Sequence, residues 1–236
     1  MELPNFNTVS TRPSYVKALI YGQAGAGKTR FCADAPGVVW LDFEDSTETL
    51  RHYPEFKDIP VKKPSSIEQL NTLFEALVKN PDVETVVIDS ITTALDFYMR
   101  QEAEKNEKRN PKRDRFVFYE ADYKYATQVF TDLFGRLQNA PINVVIIGHE
   151  RIEKNSEHIV TGIYPDITPR LQQAVTRLVN VVGYFELRPS SLKGNTRRLY
   201  LNRTPTIEAK NRLNIQDTFL DNPSWDSLFK SIKETL

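Results

Sequence analysis

Short apolar runs alternate with amphipathic stretches along most of the chain. Val16 to Tyr21, Val38 to Leu41, Thr85 to Asp89 and Ile142 to Gly148 are aliphatic and largely β-branched, which predicts strands buried on both faces. Val181 to Leu187 and Leu199 to Asn202 add further strands, with a turn at Ser190 to Asn195 between them. Ile67, Leu70, Leu73, Phe74 and Leu77 share one face of a helix over 67–79, stopped by Asn80-Pro81-Asp82. Tyr119, Tyr123, Ala126, Phe130, Leu133, Phe134 and Leu137 recur at helical spacing and predict a helix over 119–139, ended by Pro141. Ser90 is placed to cap a helix after the third strand. Residues 167–179 and 225–236 read as shorter helices. Strands alternating with helices predict an α/β fold, a mainly parallel twisted sheet with helices on both faces. The expected organisation is an arm over 1–15, a core over 16–215 and a C-terminal extension with a short helix over 216–236.

Composition narrows the class without deciding it. The 236 residues are 40% hydrophobic and 26% charged, which suits a globular chain with a sizeable core. Net charge is zero, so no global field favours nucleic acid and any such binding needs local patches. The one cysteine, Cys32, rules out a disulfide framework and a cysteine zinc site, and reads as a small buried apolar residue. No apolar run is long enough to span a membrane, and the N-terminus does not read as a signal peptide. A reducing cytoplasm is the expected location.

The chemistry begins where the first strand ends. Gly22-Gln23-Ala24-Gly25-Ala26-Gly27-Lys28-Thr29 has the G-x-x-x-x-G-K-T spacing of a Walker A loop, between a strand and a helix start. Small residues let the backbone N–H groups wrap phosphate oxygens, with the helix N-terminus behind them. Lys28 adds a charge for the β- and γ-phosphates, and Thr29 offers a hydroxyl to Mg²⁺. Gly22, Gln23, Ala24, Gly25, Ala26, Gly27, Lys28, Thr29 and Arg30 are therefore the expected ATP-binding residues. Asp89 closes an apolar strand in the Walker B manner and is the expected second contact to the metal shell. Glu44 follows the second strand, where a carboxylate can orient or deprotonate water. Asp42 competes for that role, and a solvated acidic turn of Glu44, Asp45 and Glu48 is the alternative. His149 follows the fourth strand as a candidate γ-phosphate sensor; the competing reading is a loop histidine packed on the next turn. Ligands of parallel sheets bind at the C-terminal strand ends, and Gly22, Glu44, Asp89 and His149 all lie there.

Taken in order, GQAGAGKT, LDFE, VVIDS, VVIIGHE and EAKNR resemble the motifs of RecA-type ATPases, and most nearly the small phage-encoded RecA-like ATPases of the single-strand annealing and recombination group. The resemblance spans roughly residues 15 to 215. It implies a RecA-like P-loop NTPase core and Mg²⁺-dependent ATP hydrolysis. Glu44 would activate water and His149 would stand where such proteins usually carry glutamine. Lys210 and Arg212 would be cations that reach a neighbouring subunit's nucleotide. Partners implied are single-stranded DNA, further copies of the chain in a ring or filament, and a single-strand binding protein; no membrane is implied.

DNA would be met by two segments. One is a basic, proline-broken loop carrying Lys105, Lys108, Arg109, Lys112, Arg113 and Arg115. The other is a mobile polar loop from Arg151 to Gly162, with Arg151 and Lys154. A solvated charge run is the alternative for the first. Two other functions remain open, a ring-forming helicase-like motor and a DNA-binding module that uses ATP only as a switch.

Overall fold

The structure, a computed structural model, describes residues 15–189 and 194–228. The expected α/β architecture forms. Strands β1 (Lys17–Gly22), β2 (Val38–Asp42), β3 (Val61–Lys62), β4 (Thr85–Asp89), β5 (Asn143–Gly148) and β8 (Val181–Arg188) run parallel in the order β8-β1-β5-β4-β2-β3. Strands β9 (Thr196–Tyr200), β10 (Lys210–Asn211) and β11 (Phe219–Asp221) extend the β8 edge antiparallel, which completes a nine-stranded sheet. Helices α1 (Lys28–Ala33), α2 (Ile67–Lys79), α3 (Ile91–Arg109), α4 (Glu120–Asn139) and α5 (Pro169–Leu178) flank it.

Alternation along β1 shows why the middles of these strands are apolar on both faces. Leu19 and Tyr21 join a core under α2–α5, while Ala18 and Ile20 join one under α1 and the C-terminal segment. Both faces exclude water, so nearly every position must be apolar. Cys32 is fully buried in the second core. Trp225 packs there on Phe31 of α1, with ring centroids 5.9 Å apart, so residues beyond 216 reach the P-loop helix. Polar groups fasten the lower ends of the strands. The buried Lys17 ammonium donates to Ala140 O at 2.8 Å and to Ile142 O. A cation on these carbonyls closes the C-terminus of α4.

Two predicted segments fold otherwise. Lys105, Lys108 and Arg109 belong to the last turns of α3, because lysine, arginine and glutamate are good helix formers and nothing stops the helix before Asn110. The stretch expected as a mobile loop is a hairpin of β6 (Glu150–Lys154) and β7 (Val160–Pro165), in register from Glu150↔Pro165 to Glu153↔Gly162 and shifted by one residue at Lys154↔Val160. The arm at 1–14, part of the turn at 190–195 and the tail at 229–236 lie outside the described residues.

Arg113 is also not a free cation. It donates to both Asp122 oxygens (2.7 and 2.8 Å) and stacks on Tyr119, while Asn106 and the Tyr119 N–H fill the remaining sites on the fully buried carboxylate. This cluster clamps the α3–α4 connection, and it removes Arg113 from the expected DNA-binding set. Asp122→Ala should therefore cost about 3 kcal/mol, the scale for breaking one side of a buried ion pair. Thermal melting should fall by roughly 6–12 °C for a domain of this size.

Candidate functional site

Parallel pairing brings the predicted groups to one edge. Tyr21 pairs with Gly148, and Asp89 lies between Ile147 and Asp42, so the chain leaves four strands at the same level. The loop after β1 passes so close to β8 that a Cβ on Gly22 would sit 2.1 Å from Phe185 O. Gly22 also has a φ of 148°, and only glycine fits there. Lys28 is almost wholly buried, and its ammonium donates to Gly22 O (2.8 Å) and Gln23 O (2.7 Å). Burial pulls its pKa down, against the attraction of Asp89 and Glu44. Two carbonyl dipoles are weak partners for a full charge, so an anion entering the loop finds a cation ready to exchange them.

Asp89 is 2% exposed at the end of β4, and burial pushes its carboxyl up to about 6. The Ser46 hydroxyl, donating to Oδ2 at 2.5 Å, opposes this, while Glu44 and Asp42 add to it. Thr29 Oγ1 also lies 3.4 Å from that oxygen. A carboxylate and two hydroxyls with surplus negative charge fit Mg²⁺, a hard ion that takes its other ligands from phosphate and water. Among the described residues no group of three His, Cys, Asp or Glu side chains forms an all-protein metal cage.

The loop after β2 separates the two candidate carboxylates. Asp42 accepts from the N–H groups of Glu44 (3.0 Å), Ser46 (3.2 Å) and Thr47 (3.0 Å), and from Thr47 Oγ1 (2.6 Å). Its oxygens are spent on folding the loop. Glu44 instead accepts from the hydroxyls of Ser90 and Thr93, and its Oε1 lies 2.7 Å from His149 Nε2. Burial alone would raise the Glu44 carboxyl; those three donors outweigh it and hold it at about 2, because hydrogen bonds to the charged form favour ionisation. The same hydrogen bond raises the His149 pKa. Ser46, Ser90 and Thr93 carry no sequence signal as partners of the site carboxylates. Ser90 does cap α3, as its Oγ accepts from the Thr93 N–H at 3.2 Å, and it serves Glu44 as well.

The remaining candidates scatter. Arg151 and Lys154 lie on the hairpin that starts one residue after His149, with Arg151 paired to Glu153 at 3.2 Å. Lys105, Lys108, Arg109, Lys112 and Arg115 line the end of α3 and the turn after it, where Lys105 and Arg115 make long, exposed contacts to Glu68 (3.9 Å) and Glu107 (4.0 Å). Lys210 does not approach its own chain's nucleotide loop. It pairs with Val182, which pairs with Leu19, three residues before Gly22. At the rise of a β-strand, three residues leave it roughly 10 Å short of the loop. The Lys210 ammonium donates to Thr176 O and to Val179 O (2.9 Å), and Arg212 donates to Arg177 O (2.9 Å). Both cations therefore cap the C-terminus of α5. Burial, with Arg212 nearby, lowers the Lys210 pKa to about 8.

The AAA domain family profile matches residues 14–213, most of the chain. No curated protein matches. A KaiC-like protein from the hyperthermophilic archaeon Pyrococcus horikoshii OT3 is similar in structure, with 13% identity and a TM-score of 0.49 over 88% of this chain and 89% of that one. No described helix is long and apolar enough to cross a membrane.

Two measurements probe this geometry. Glu44→Gln should keep nucleotide binding and slow turnover by about 10²–10⁴, while Asp42→Asn should chiefly lower the melting temperature. The reverse pattern in paired kinetics and melts would exchange their roles. The Glu44–His149 contact also has a pH signature. His149 has a raised pKa, so its stabilisation is complete below its ordinary 6.5 and is lost as pH climbs through the folded value. Glu44 has a lowered one, so its share is complete above 4.5 and is lost as pH falls toward about 2. The melting advantage of the native chain over His149→Gln should thus peak between pH 4.5 and 6.5.

Proposed function

Because the chain belongs to the AAA domain family, we propose that this nucleotide-binding ATPase domain hydrolyses Mg²⁺-bound ATP under the control of single-stranded DNA, as an oligomer. The observation that carries the reading is the His149–Glu44 hydrogen bond, since His149 is joined directly to the β6–β7 hairpin. Lys28 and the loop N–H groups bind the phosphates. Thr29 and Asp89 would hold Mg²⁺, which would offset the negative charge of the phosphates. Glu44 takes a proton from water as the water oxygen bonds to the γ-phosphorus and the bond to the β-phosphate oxygen breaks, leaving ADP and phosphate.

A carboxylate held by Ser90, Thr93 and His149 is a weak base. If His149 turns to the γ-phosphate, Glu44 loses one donor and becomes more basic. The same movement reaches the hairpin, whose base is closed by Asp166 N–H donating to His149 O at 2.9 Å. Arg151 and Lys154 would meet DNA phosphates there, with the cations at the end of α3 as a second contact. Lys210 and Arg212 can serve a neighbour's ATP only by leaving the α5 carbonyls, so helix and neighbour would compete for them.

Lys28→Ala should abolish ATP binding without unfolding the chain, because an anion contact worth several kcal/mol is lost. Steady-state hydrolysis should rise on adding single-stranded DNA. Arg151→Ala combined with Lys154→Ala should lower the stimulated rate and flatten the plot of log affinity against log salt by about two phosphate contacts. A rate indifferent to DNA would remove DNA from the proposal, and tight ATP-dependent DNA binding with negligible turnover would favour the switch module.

A further inference from the structure

We propose that the purine nucleoside half of the bound nucleotide lies in a cleft on the side of α1 away from Glu44, under the guanidinium of Arg197. The inference rests on the assignment of ATP to the P-loop. The cleft has a volume of about 280 Å³ and is bordered by Gly27, Arg30 and Asp34, by Phe185 and Arg197 on β8 and β9, and by Asn222 after β11. That is too small for a whole nucleoside triphosphate but suits a nucleoside whose phosphates sit on the loop outside.

Helical spacing separates two sides of α1. Gly27, Arg30, Phe31 and Asp34 fall on one face and border the cleft, whereas Thr29 turns to Asp89. A nucleotide with its terminal phosphate near Asp89 and Glu44 has its other end directed to the cleft. The floor there is apolar and aromatic: Phe31 and Phe185 are almost fully buried, with ring centroids 5.6 Å apart. These rings lie just beneath the surface and give the cleft an apolar floor, so the open stacking partner for a flat heterocycle is the Arg197 guanidinium.

Arg197 supplies the opposite wall. Its side chain lies against the loop, since a Cβ on Gly27 would be 2.6 Å from its Nε and 2.8 Å from its Cδ. Among the described residues its guanidinium has no ion pair and no hydrogen bond. Its backbone is fixed nonetheless, because Arg197 N–H donates to Asn222 Oδ1 (3.1 Å) and Arg197 O accepts from Asn222 N–H (2.6 Å). A held backbone with an uncommitted planar cation suits stacking on a ring. Asn222 and Asp34 place an amide and a carboxylate at the rim for the polar edge of the base.

The test compares Mg²⁺-ATP with Mg²⁺-tripolyphosphate, which lacks the nucleoside, by titration calorimetry on the full chain. Arg197→Ala should weaken ATP about tenfold, the scale of a guanidinium–ring stack, and leave tripolyphosphate within about twofold. Arg197→Lys, which keeps the charge but not the flat face, should behave like Arg197→Ala. Equal weakening of both ligands would make Arg197 a phosphate contact and overturn the proposal, as would no change in either or full rescue by lysine. Lys28→Ala should weaken both ligands. If the native chain binds neither in a Lys28-dependent way, the ATP assignment itself fails; if it binds both and Arg197 is silent, only the nucleoside cleft fails.

Discussion

Parallel pairing of β2, β4, β5 and β1 is the constraint on which the site depends. Four strands buried on both faces hold a common register, so the residues that follow them arrive together whatever their separation in sequence. Gly22 and His149 are 127 positions apart, yet they leave neighbouring strands within a residue of the same level. The hydrophobic cores on the two faces therefore do more than stabilise the domain: they fix the distances among a cation, two carboxylates and an imidazole.

What could be read from the sequence is what depends on local pattern. The P-loop spacing is contiguous, the buried strands are apolar between their polar ends, and α2 and α4 carry their apolar faces in regular steps. The choice between Asp42 and Glu44 was illegible because both sit at the end of the same strand, two residues apart. It turns on the N–H groups and hydroxyl of residues 44–47, which close on Asp42 and leave Glu44 to reach Ser90, Thr93 and His149. The hairpin at 150–165 resembled a loop because most of its side chains are exposed and Ile163 alone packs on the hydrophobic core, so it has no continuous apolar face to announce it. Charge was equally ambiguous: Arg113 and Lys105 look alike in sequence, but one is spent on a buried carboxylate and the other is exposed. The same holds for Lys210 and Arg212, whose carbonyl partners belong to the end of a helix more than thirty residues earlier.

The site also shows how a single side chain can serve structure and chemistry together. Ser90 follows the last residue of β4, caps α3 and donates to Glu44. Ser46 is set by the Asp42 turn and donates to Asp89. Such shared groups leave little freedom for the carboxylates to rearrange independently, and this favours concerted movement when a phosphate arrives.

Trp225, packed on Phe31 of the P-loop helix, makes the C-terminal segment mechanically continuous with the phosphate cradle. Lys28 and Phe31 are one turn apart on that short helix. Tension applied at Trp225 would be transmitted through the indole and the phenyl ring to the turn of helix that carries Lys28. In that sense the segment around Trp225 is a handle on the phosphate loop.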